Sequence, residues 1–326
     1  MIYKHYGKIE DDDMMNINDK ILILGSTGMV GSSIVRRLKS DGCINLLTPN
    51  RATLNLTNQN EVETYFKENK PKYVFLCSGR VGGIYANSTF PVEFLYENMM
   101  MEFNVIQSAY DNGVEKLLFT GSSCIFPKVC DQPIKEEALL SSALEPTNEG
   151  YAIAKIAGIK LCQAYNKEYG SNFISVLPCS LFGVGDNFDL NNSHLMPALM
   201  RKMHNAKMNN SKTVEIWGSG KPMREFLYID DAVDAIMFLM ETYNSNELIN
   251  IGAGVDRTIS DIAEIIKNVV GFKGEFVYNP EKPDGVFRKV IDISKLENLG
   301  WSPKVKFEDG LKRMYDYFLE DAIWIM

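Results

Sequence analysis

The sequence is short of the residues that build metal centres and disulfide frameworks. Among its 326 residues are 3 histidines and 6 cysteines, and the cysteines form no C-x-x-C pair. Most of the cysteines lie inside apolar runs, which is typical of reduced thiols and not of a zinc site or a disulfide scaffold. We therefore expect a cytoplasmic protein without a metal site. The cysteine positions are 43, 77, 124, 130, 162 and 179.

The chain also lacks long apolar runs and an excess of positive charge. No run reaches the ~18–20 apolar residues that a membrane-spanning helix requires. The first residues include Asp11-Asp12-Asp13 and lack the apolar core of a signal peptide. A formal net charge of −8 argues against a surface that coats nucleic acid, whereas a few local cations suffice to bind a small anion. We expect neither a membrane nor a nucleic-acid partner.

What the chain does contain is a regular alternation of strand and helix patterns. Short apolar runs, the pattern of buried parallel strands, are separated by segments with helical periodicity. This alternation predicts βαβ units and an α/β fold with a doubly wound parallel sheet of the Rossmann type. The predicted strands are 20–24, 44–47, 73–77, 116–120 and 173–177, and the predicted helices include 32–39, 92–112 and 151–169.

The pattern changes after Gly183, where loops rich in Asn and Asp begin. A chain of 326 residues exceeds the ~250–300 at which a single core tends to split, so a second, smaller lobe is expected. We predict an N-terminal extension, a cofactor domain to which the chain returns once, and a C-terminal α/β substrate lobe. Their predicted residues are 1–18 for the extension, 19–183 and 228–253 for the NADP-binding domain, and 184–227 and 254–326 for the lobe.

A glycine-rich loop lies between the first predicted strand and the first predicted helix. It reads Gly25-Ser26-Thr27-Gly28-Met29-Val30-Gly31. Glycines allow the backbone to turn tightly and to approach a pyrophosphate, which the N-terminus of the following helix attracts. The placement of the loop between strand and helix predicts the pyrophosphate site of a dinucleotide.

The segment after the second strand indicates which dinucleotide binds. NAD-selective sites usually have an acid ~20 residues beyond the glycines, which accepts a hydrogen bond from the ribose 2′-hydroxyl. Here the segment is Thr48-Pro49-Asn50-Arg51 and contains no acid. Arg51 can form a two-point contact with a 2′-phosphate, which favours NADP. A solvated loop arginine is the alternative interpretation.

The stretch from Thr120 to Lys155 carries the candidate chemistry. On a helix, Tyr151 and Lys155 share one face because they are four residues apart. A nearby ammonium group favours the phenolate of a tyrosine, whose pKa is ordinarily ~10. Ser122, at the end of a predicted strand, would hydrogen-bond a carbonyl oxygen while Tyr151 supplies or removes its proton. The competing interpretation is an amphipathic helix with a buried tyrosine and a surface lysine.

Taken with the glycine loop, these residues resemble the extended short-chain dehydrogenase/reductases, and within them the enzymes that epimerise and reduce GDP-4-keto-6-deoxy sugars. The similarity covers residues 20–302. Its most specific feature is the Ser-Cys-Ile sequence at 123–125 combined with Ser193-His194, because these reductases in general lack that combination. The matching blocks are 28–32, 50–56, 81–84, 121–125, 144–149, 151–162, 192–194, 217–220, 224–227 and 282–285.

The resemblance implies catalytic roles for five residues. Ser122, Tyr151 and Lys155 would form the reductive triad, and Cys124 and His194 the acid/base pair for epimerisation. In a 4-keto sugar, C3 and C5 both lie next to the ketone, so their protons are acidic when the enolate oxygen is held. A thiol and an imidazole titrate near ~8.5 and ~6.5, so both can exchange protons close to neutral pH. A cysteine that only fills space and a histidine that only begins a helix are the alternatives.

The resemblance also implies binding residues at both ends of the site. For NADP(H), beyond residues 25–31 and Arg51, these are Asn55, Leu56, Thr120, Gly121, Ser122, Tyr151, Lys155, Pro178, Leu181 and His194. For the GDP-sugar they are Ser123, Cys124, Lys202, Trp217, Arg224 and Asp292. An acidic protein needs cations near the phosphates, but Lys202 or Arg224 could equally be solvated charges. The implied homodimer pairs helices 92–112 and 151–169; the apolar residues Met99, Met100, Met101 and Phe103 fit it, and core packing also explains them.

Departures from the pattern of these enzymes surround the expected sugar pocket. An Ala-rich turn is replaced by Cys77-Ser78-Gly79-Arg80, an expected amide is missing from Pro178-Cys179-Ser180, and Gly150 replaces a proline. The leading hypothesis is an NADPH-dependent enzyme that converts a GDP-4-keto-6-deoxy sugar of the mannose type to a GDP-L-fucose-type product, by C3/C5 epimerisation and C4 reduction. The alternative is a C4 keto-reductase alone, acting on a related sugar such as a heptose for surface polysaccharide.

Two further classes fit less well. A sugar-nucleotide 4,6-dehydratase would need a carboxylate pair close after the catalytic serine, where this chain has Cys124-Ile125-Phe126. A sugar-nucleotide 4-epimerase is considered with the dehydratase as one alternative to the leading hypothesis. A cofactor-sensing binding protein without turnover typically loses the Tyr/Lys pair, which this chain keeps as Tyr151 and Lys155.

Overall fold

A parallel sheet of six strands forms the larger part of the molecule. The computed structural model describes residues 15–190, 193–282 and 284–320. Across the sheet the strands are β2 (Leu46–Leu47), β1 (Ile21–Leu24), β3 (Tyr73–Leu76), β4 (Lys116–Thr120), β5 (Phe173–Pro178) and β9 (Ile249–Ile251). Every residue of β1, β3, β4 and β5 is buried, as expected of parallel strands covered on both faces. The predicted Rossmann-type α/β fold is confirmed.

Helices cover both faces of this sheet. They are α1 (Met29–Ser40), α2 (Gln59–Asn69), α3 (Ile84–Thr89), α4 (Pro91–Asp111), α5 (Glu149–Tyr169) and α7 (Ile229–Thr242). The long helices α4 and α5 pack along each other. Gly158 makes this approach possible, because a Cβ there would lie 2.6 Å from a Glu102 carboxylate oxygen and 2.8 Å from the Phe119 ring. The strand order reverses between β1 and β3, where ligands of doubly wound sheets bind.

The smaller lobe is built on two further sheets. The first contains β6 (Ser180–Phe182), β8 (Met223–Tyr228), β10 (Asp256–Thr258) and β12 (Arg288–Lys289). The second pairs β7 (Thr213–Trp217) with β11 (Glu275–Asn279) in parallel. Helices α6 (Leu195–Met208), α8 (Ile259–Val270), α9 (Ser294–Asn298) and α10 (Phe307–Glu320) complete the lobe.

Two boundaries differ from those predicted. The strand predicted at 44–47 shortens to β2, because the Ile44 N–H donates to the Ile17 carbonyl at 3.0 Å and not to the sheet. The chain enters the four-stranded sheet of the lobe at Ser180, before the predicted boundary at 184, because β6 pairs with β8 from Ser180↔Phe226 onward.

Some predicted features fall beyond the part of the chain that the structure describes. These are residues 1–14 of the predicted extension, Asn192 of the block 192–194, Pro283 of the block 282–285, and residues 321–326 of the predicted lobe. Within the described ranges, no helix is long and apolar enough to cross a bilayer. Those same ranges hold no group of three or more His, Cys, Asp or Glu residues that could bind a metal ion.

Candidate active site

Two glycines of the loop after β1 occupy positions where a side chain would collide with the backbone. Gly25 has a φ of +86°, and a Cβ there would lie 2.8 Å from the Cys77 carbonyl carbon beyond β3. A Cβ on Gly31 would lie 2.2 Å from the Gly25 carbonyl oxygen. Gly28 is the N-cap of α1 and no side chain caps that helix, so its first N–H groups remain available to an anion. The loop therefore fits the pyrophosphate of a dinucleotide.

The segment with Arg51 is attached to this loop, since the Ser26 hydroxyl donates to the Thr48 carbonyl at 3.4 Å. The Arg51 side chain is 78% exposed, and its Nη2 lies 3.7 Å from Glu97 Oε2. An exposed ion pair of this kind contributes ~0–1 kcal/mol, so a phosphate can replace Glu97 at little cost. The position of Arg51 is thus compatible with a 2′-phosphate.

The other cofactor residues implied by the resemblance lie in the loop after β2 or at strand ends. The buried Asn104 of α4 donates to the Leu56 carbonyl at 2.9 Å, which fixes the first of these loops. The Thr120 hydroxyl donates to the Leu76 carbonyl at 2.6 Å, which ties the ends of β4 and β3 together. The residues placed in this way are Asn55, Leu56, Thr120, Gly121, Pro178 and Leu181.

The i, i+4 spacing on α5 brings Tyr151 and Lys155 to one face of the helix. Lys155 is buried, and its Nζ donates to the Thr120 carbonyl at 3.1 Å, at the carboxyl end of β4. The same Nζ lies 4.6 Å from the centre of the Phe119 ring and 6.0 Å from that of the Tyr151 ring. The lysine is therefore not the surface residue of the competing interpretation.

A buried acid that sequence reasoning missed faces this lysine. Glu102 of α4 is 1% exposed, and its Oε1 lies 3.1 Å from Lys155 Nζ. Burial raises the pKa of Glu102 to about 6, against the opposing effect of Lys155. Burial by itself lowers the pKa of Lys155, but the carboxylate of Glu102 outweighs it and the pKa is raised. Both pKa values rise, which favours the neutral form of the acid and the charged form of the lysine, so the lysine is the firmly charged partner. The sequence feature that could have identified Glu102 is its position as an acid within the otherwise apolar stretch 99–103.

The buried pair influences Tyr151 in two opposite ways. Burial raises the pKa of Tyr151, and the Lys155 ammonium and a Ser122 hydrogen bond offset this only in part. Glu102 adds to the rise because its negative charge disfavours a phenolate. The phenol consequently keeps its proton at neutral pH, which suits a proton donor.

Ser122 and Cys124 are positioned by the short 3-10 turn that follows β4. The Ser122 Oγ accepts a hydrogen bond from the Cys124 N–H at 3.1 Å, which pins the hydroxyl beside the turn. Ser123 is buried and lines a small cavity together with Arg224 and Lys289. Lys289 Nζ lies 3.5 Å from Cys124 Sγ. Burial alone raises the pKa of the Cys124 thiol, but Lys289 and Ser122 reverse this and the pKa is lowered.

His194 belongs to a different segment, at the start of α6. It is the N-cap of α6, and its side chain is exposed. The neighbouring Ser193 carbonyl faces Gly83, where a Cβ would lie 3.8 Å from the oxygen. The pKa of His194 is nevertheless lowered, because nearby protein atoms displace part of the water around the exposed imidazole. The described contacts connect this segment to the loop after β3 and not to Cys124.

The residues implied for the nucleotide end come together around Trp217. The Nζ atoms of Lys202 and Lys282 each lie 5.1 Å from the centre of the Trp217 ring, which is exposed. Arg224 Nη2 donates to the Asp284 carbonyl at 3.4 Å. This cluster of cations beside an aromatic face can hold a nucleoside diphosphate.

Asp292 does not join that cluster. Its carboxylate accepts hydrogen bonds from the Ser294 N–H, at 2.9 Å, and from the Ser294 hydroxyl, and it faces Lys135. Asp284 lies beside Arg224 instead, and its carboxylate accepts hydrogen bonds from the Ser219 N–H at 2.6 Å and from the Ser219 hydroxyl at 2.8 Å. After β12 (Arg288–Lys289), the Asp292 N–H donates to the Ile134 carbonyl at 2.8 Å, which holds Asp292 beside that segment.

A glycine loop and a buried Tyr–Lys pair at the same edge of a Rossmann-type sheet are features of dinucleotide-dependent epimerases and reductases. The chain belongs to the NAD dependent epimerase/dehydratase family, whose sequence model matches residues 21–252.

Individual relatives extend the similarity over nearly the whole chain. A putative GDP-L-fucose synthase 2 of Arabidopsis thaliana is 52% identical over 310 residues, which is 95% of this chain and 94% of that protein. The GDP-L-fucose synthase of Escherichia coli (strain K12) is 47% identical over 311 residues, 93% of this chain and 97% of that protein. A solved structure of a GDP-mannoheptose C4 reductase from Campylobacter jejuni with NADP bound is 39% identical, with a TM-score of 0.87 over 94% of this chain and 99% of that chain.

Proposed function

We propose that the protein is an NADPH-dependent enzyme that inverts C3 and C5 of GDP-4-keto-6-deoxymannose and reduces C4, so that the product is GDP-L-fucose. The observation that carries this proposal is the placement of Tyr151, buried Lys155, Ser122 and Cys124 around the end of β4. Full-length relatives with the GDP-L-fucose synthase name support the same activity.

The residues of this chain account for the proton transfers of the reduction. When bound, NADPH supplies the hydride for C4. Tyr151 donates its proton to the C4 oxygen, and Ser122 donates a hydrogen bond to the same oxygen. Lys155 stabilises the tyrosine oxygen as it loses its proton, because its ammonium group lies 6.0 Å from the centre of the Tyr151 ring and favours the phenolate. The space left by Gly25 and Gly31 fits the cofactor.

The same oxygen-binding groups serve the epimerisation. Ser122 and Tyr151 hold the enolate oxygen while a base removes a proton from C3 or C5 and an acid returns one on the opposite face. Cys124 and His194 are the proposed pair, because a thiol and an imidazole both exchange protons near neutral pH. His194 is open to solvent, through which it can regain a proton.

Incubation with GDP-4-keto-6-deoxymannose and NADPH in D2O tests both halves of the proposal. We expect NADPH absorbance to fall with turnover and the product to carry solvent deuterium at C3 and C5, with the L-fucose configuration by NMR. A flat absorbance trace would contradict the enzymatic assignment and favour a cofactor-sensing protein.

A second candidate is reduction at C4 without epimerisation. Cys179 and Ser180 line the small cavity beside Cys124 at the positions where the resembling enzymes have an expected amide. A structure of a C4 reductase also covers nearly the whole chain. Deuterium-free product from the same D2O incubation would support this candidate and contradict epimerisation.

The proposed assembly is a homodimer through α4 and α5. Apolar side chains are exposed on both helices, among them Val92 at 75%, Tyr96 at 61% and Ile153 at 41%. Met99, Met100, Met101 and Phe103 are half-buried, so they are shared between the core and the surface. Sedimentation equilibrium should give twice the mass of one chain, and a single-chain mass would contradict the dimer. The free state of all six cysteines agrees with the reducing cytoplasm that we propose as the location.

A further inference from the structure

Lys289 points into the candidate site, although no role was assigned to it from the sequence. It lies on β12 beside Arg288, and neighbouring residues of a strand face opposite sides. Arg288 forms an ion pair with Asp256, with Nε 2.6 Å from a carboxylate oxygen. The Lys289 side chain is half-buried and reaches Cys124, with 3.5 Å between Nζ and Sγ.

Among the described residues, Lys289 is the cation in direct contact with the Cys124 sulfur. The Ser122 hydroxyl and the Tyr151 phenol also lie near the thiol, and both are neutral at neutral pH. Glu225 lies on the same small cavity, but its carboxylate accepts backbone N–H groups of Ala253, Gly254 and Ile291.

Arg224 completes the charged groups of the cavity. Its guanidinium is directed to the Met223 and Asp284 carbonyls and not to the thiol.

A proton-abstracting thiol needs such a cation. The thiolate is the reactive form, and an ordinary cysteine, with a pKa of ~8.5, is mostly protonated at neutral pH. An ammonium group in contact with the sulfur favours the thiolate, because opposite charges stabilise each other strongly in a partly desolvated site.

We propose that Lys289 is a positioning residue that holds Cys124 as a thiolate, the form in which the proposed epimerisation uses it as a base. The inference rests on the proposed function. In this step the C–H bond next to the ketone breaks and its proton moves to Sγ. The electron pair of that bond becomes the enolate, whose oxygen Ser122 and Tyr151 hold. A proton donated by His194 on the opposite face then completes the inversion, and Lys289 keeps its own protons throughout.

The first test is the pH dependence of alkylation of Cys124 by iodoacetamide in the folded enzyme, followed after quenching by digestion and mass spectrometry of the cysteine-containing peptides. In Lys289→Met we expect Cys124 alkylation at neutral pH to fall about tenfold and its midpoint to move to higher pH, because a lost cation raises a thiol pKa. Cys43, which is also half-buried and faces only acidic groups, is the internal reference and should not change. Identical Cys124 profiles in the variant and the wild type would overturn the proposal.

Two matched variants separate charge from packing. Lys289→Arg keeps a cation and should retain most of the wild-type alkylation rate. Arg288→Met removes a cation from the same strand but on the Asp256 side, so Cys124 should react as in the wild type. If Arg288→Met slows alkylation as much as Lys289→Met does, the effect comes from β12 and the proposal fails.

The second test measures deuterium uptake at C3 and C5 relative to NADPH oxidation. Lys289→Met should lower this ratio about tenfold, in step with the thiolate fraction. Absence of exchange in the wild type would refute the proposed epimerisation, whereas the alkylation profiles would still decide whether Lys289 controls the thiol. An unchanged ratio together with slower alkylation would show that the thiolate is not the base.

Discussion

Replacing Tyr151 with Phe is expected to lower the rate of NADPH oxidation by roughly 10²–10⁴-fold, the range that a positioned general acid contributes. Phenylalanine keeps the aromatic ring at this position of α5 but has no hydroxyl proton to give to the C4 oxygen. Burial holds the Tyr151 pKa above its ordinary value, so the wild-type residue is protonated and ready to donate at neutral pH. The rate at which NADPH absorbance falls after addition of the 4-keto substrate measures the loss of activity.

Tyr169→Phe is the matched control for this prediction. It removes a phenolic hydroxyl from the same helix, at its exposed C-terminal end. Turnover should be unchanged in this variant. NADPH binding, followed by fluorescence, should persist in Tyr151→Phe because the glycine loop is untouched. Near wild-type turnover in Tyr151→Phe would place the proton donor elsewhere and remove the basis of the proposed mechanism.

Replacing Glu102 with Ala is expected to destabilise the fold by about 3–5 kcal/mol, the cost of leaving a buried charge without its partner. Lys155 is 4% exposed and Glu102 is 1% exposed at the side chain, so water cannot replace the lost carboxylate. Urea unfolding of the wild type and the variant gives the difference.

A double-mutant cycle isolates the pair from the packing around it. In Glu102→Ala/Lys155→Met neither charge remains, so the loss of stability should be smaller than in Glu102→Ala alone. The double variant should be folded and inactive, because it lacks the lysine beside Tyr151. If the double variant is less stable than Glu102→Ala, the ion pair does not explain the effect.

The same pair produces a pH dependence whose sign is defined. The pKa of Glu102 rises from 4.5 to about 6 in the fold, so the folded state binds this proton more tightly than the unfolded state. The stabilisation contributed by protonated Glu102 is fully present below pH 4.5, and it is lost as the pH rises to about 6. The unfolding free energy of the wild type minus that of Glu102→Gln should therefore decrease across this window. Taking this difference cancels the contribution of the other buried acids, which both proteins share. An increase would contradict the assigned direction.

The contrast between Glu102 and Tyr151 shows why some site residues were recognisable in advance. Tyr151 and Lys155 are four residues apart on one helix, so local geometry alone predicts that they meet. Glu102 reaches Lys155 only because α4 and α5 pack closely at Gly158. A single acid in an apolar helical stretch marks a buried charge, but the identity of its partner requires the packed structure.

The order of apolar runs, glycines and turns was enough to predict the parallel sheet, the glycine loop after β1 and the face shared by Tyr151 and Lys155, because each depends on a few neighbouring residues. Tertiary structure decided the rest. Lys289 meets Cys124 across 165 positions, and Asp284, not Asp292, lies beside Arg224. Both results depend on where β12 joins β8, since the register between distant strands is set by packing of the whole lobe and leaves no mark in the local pattern.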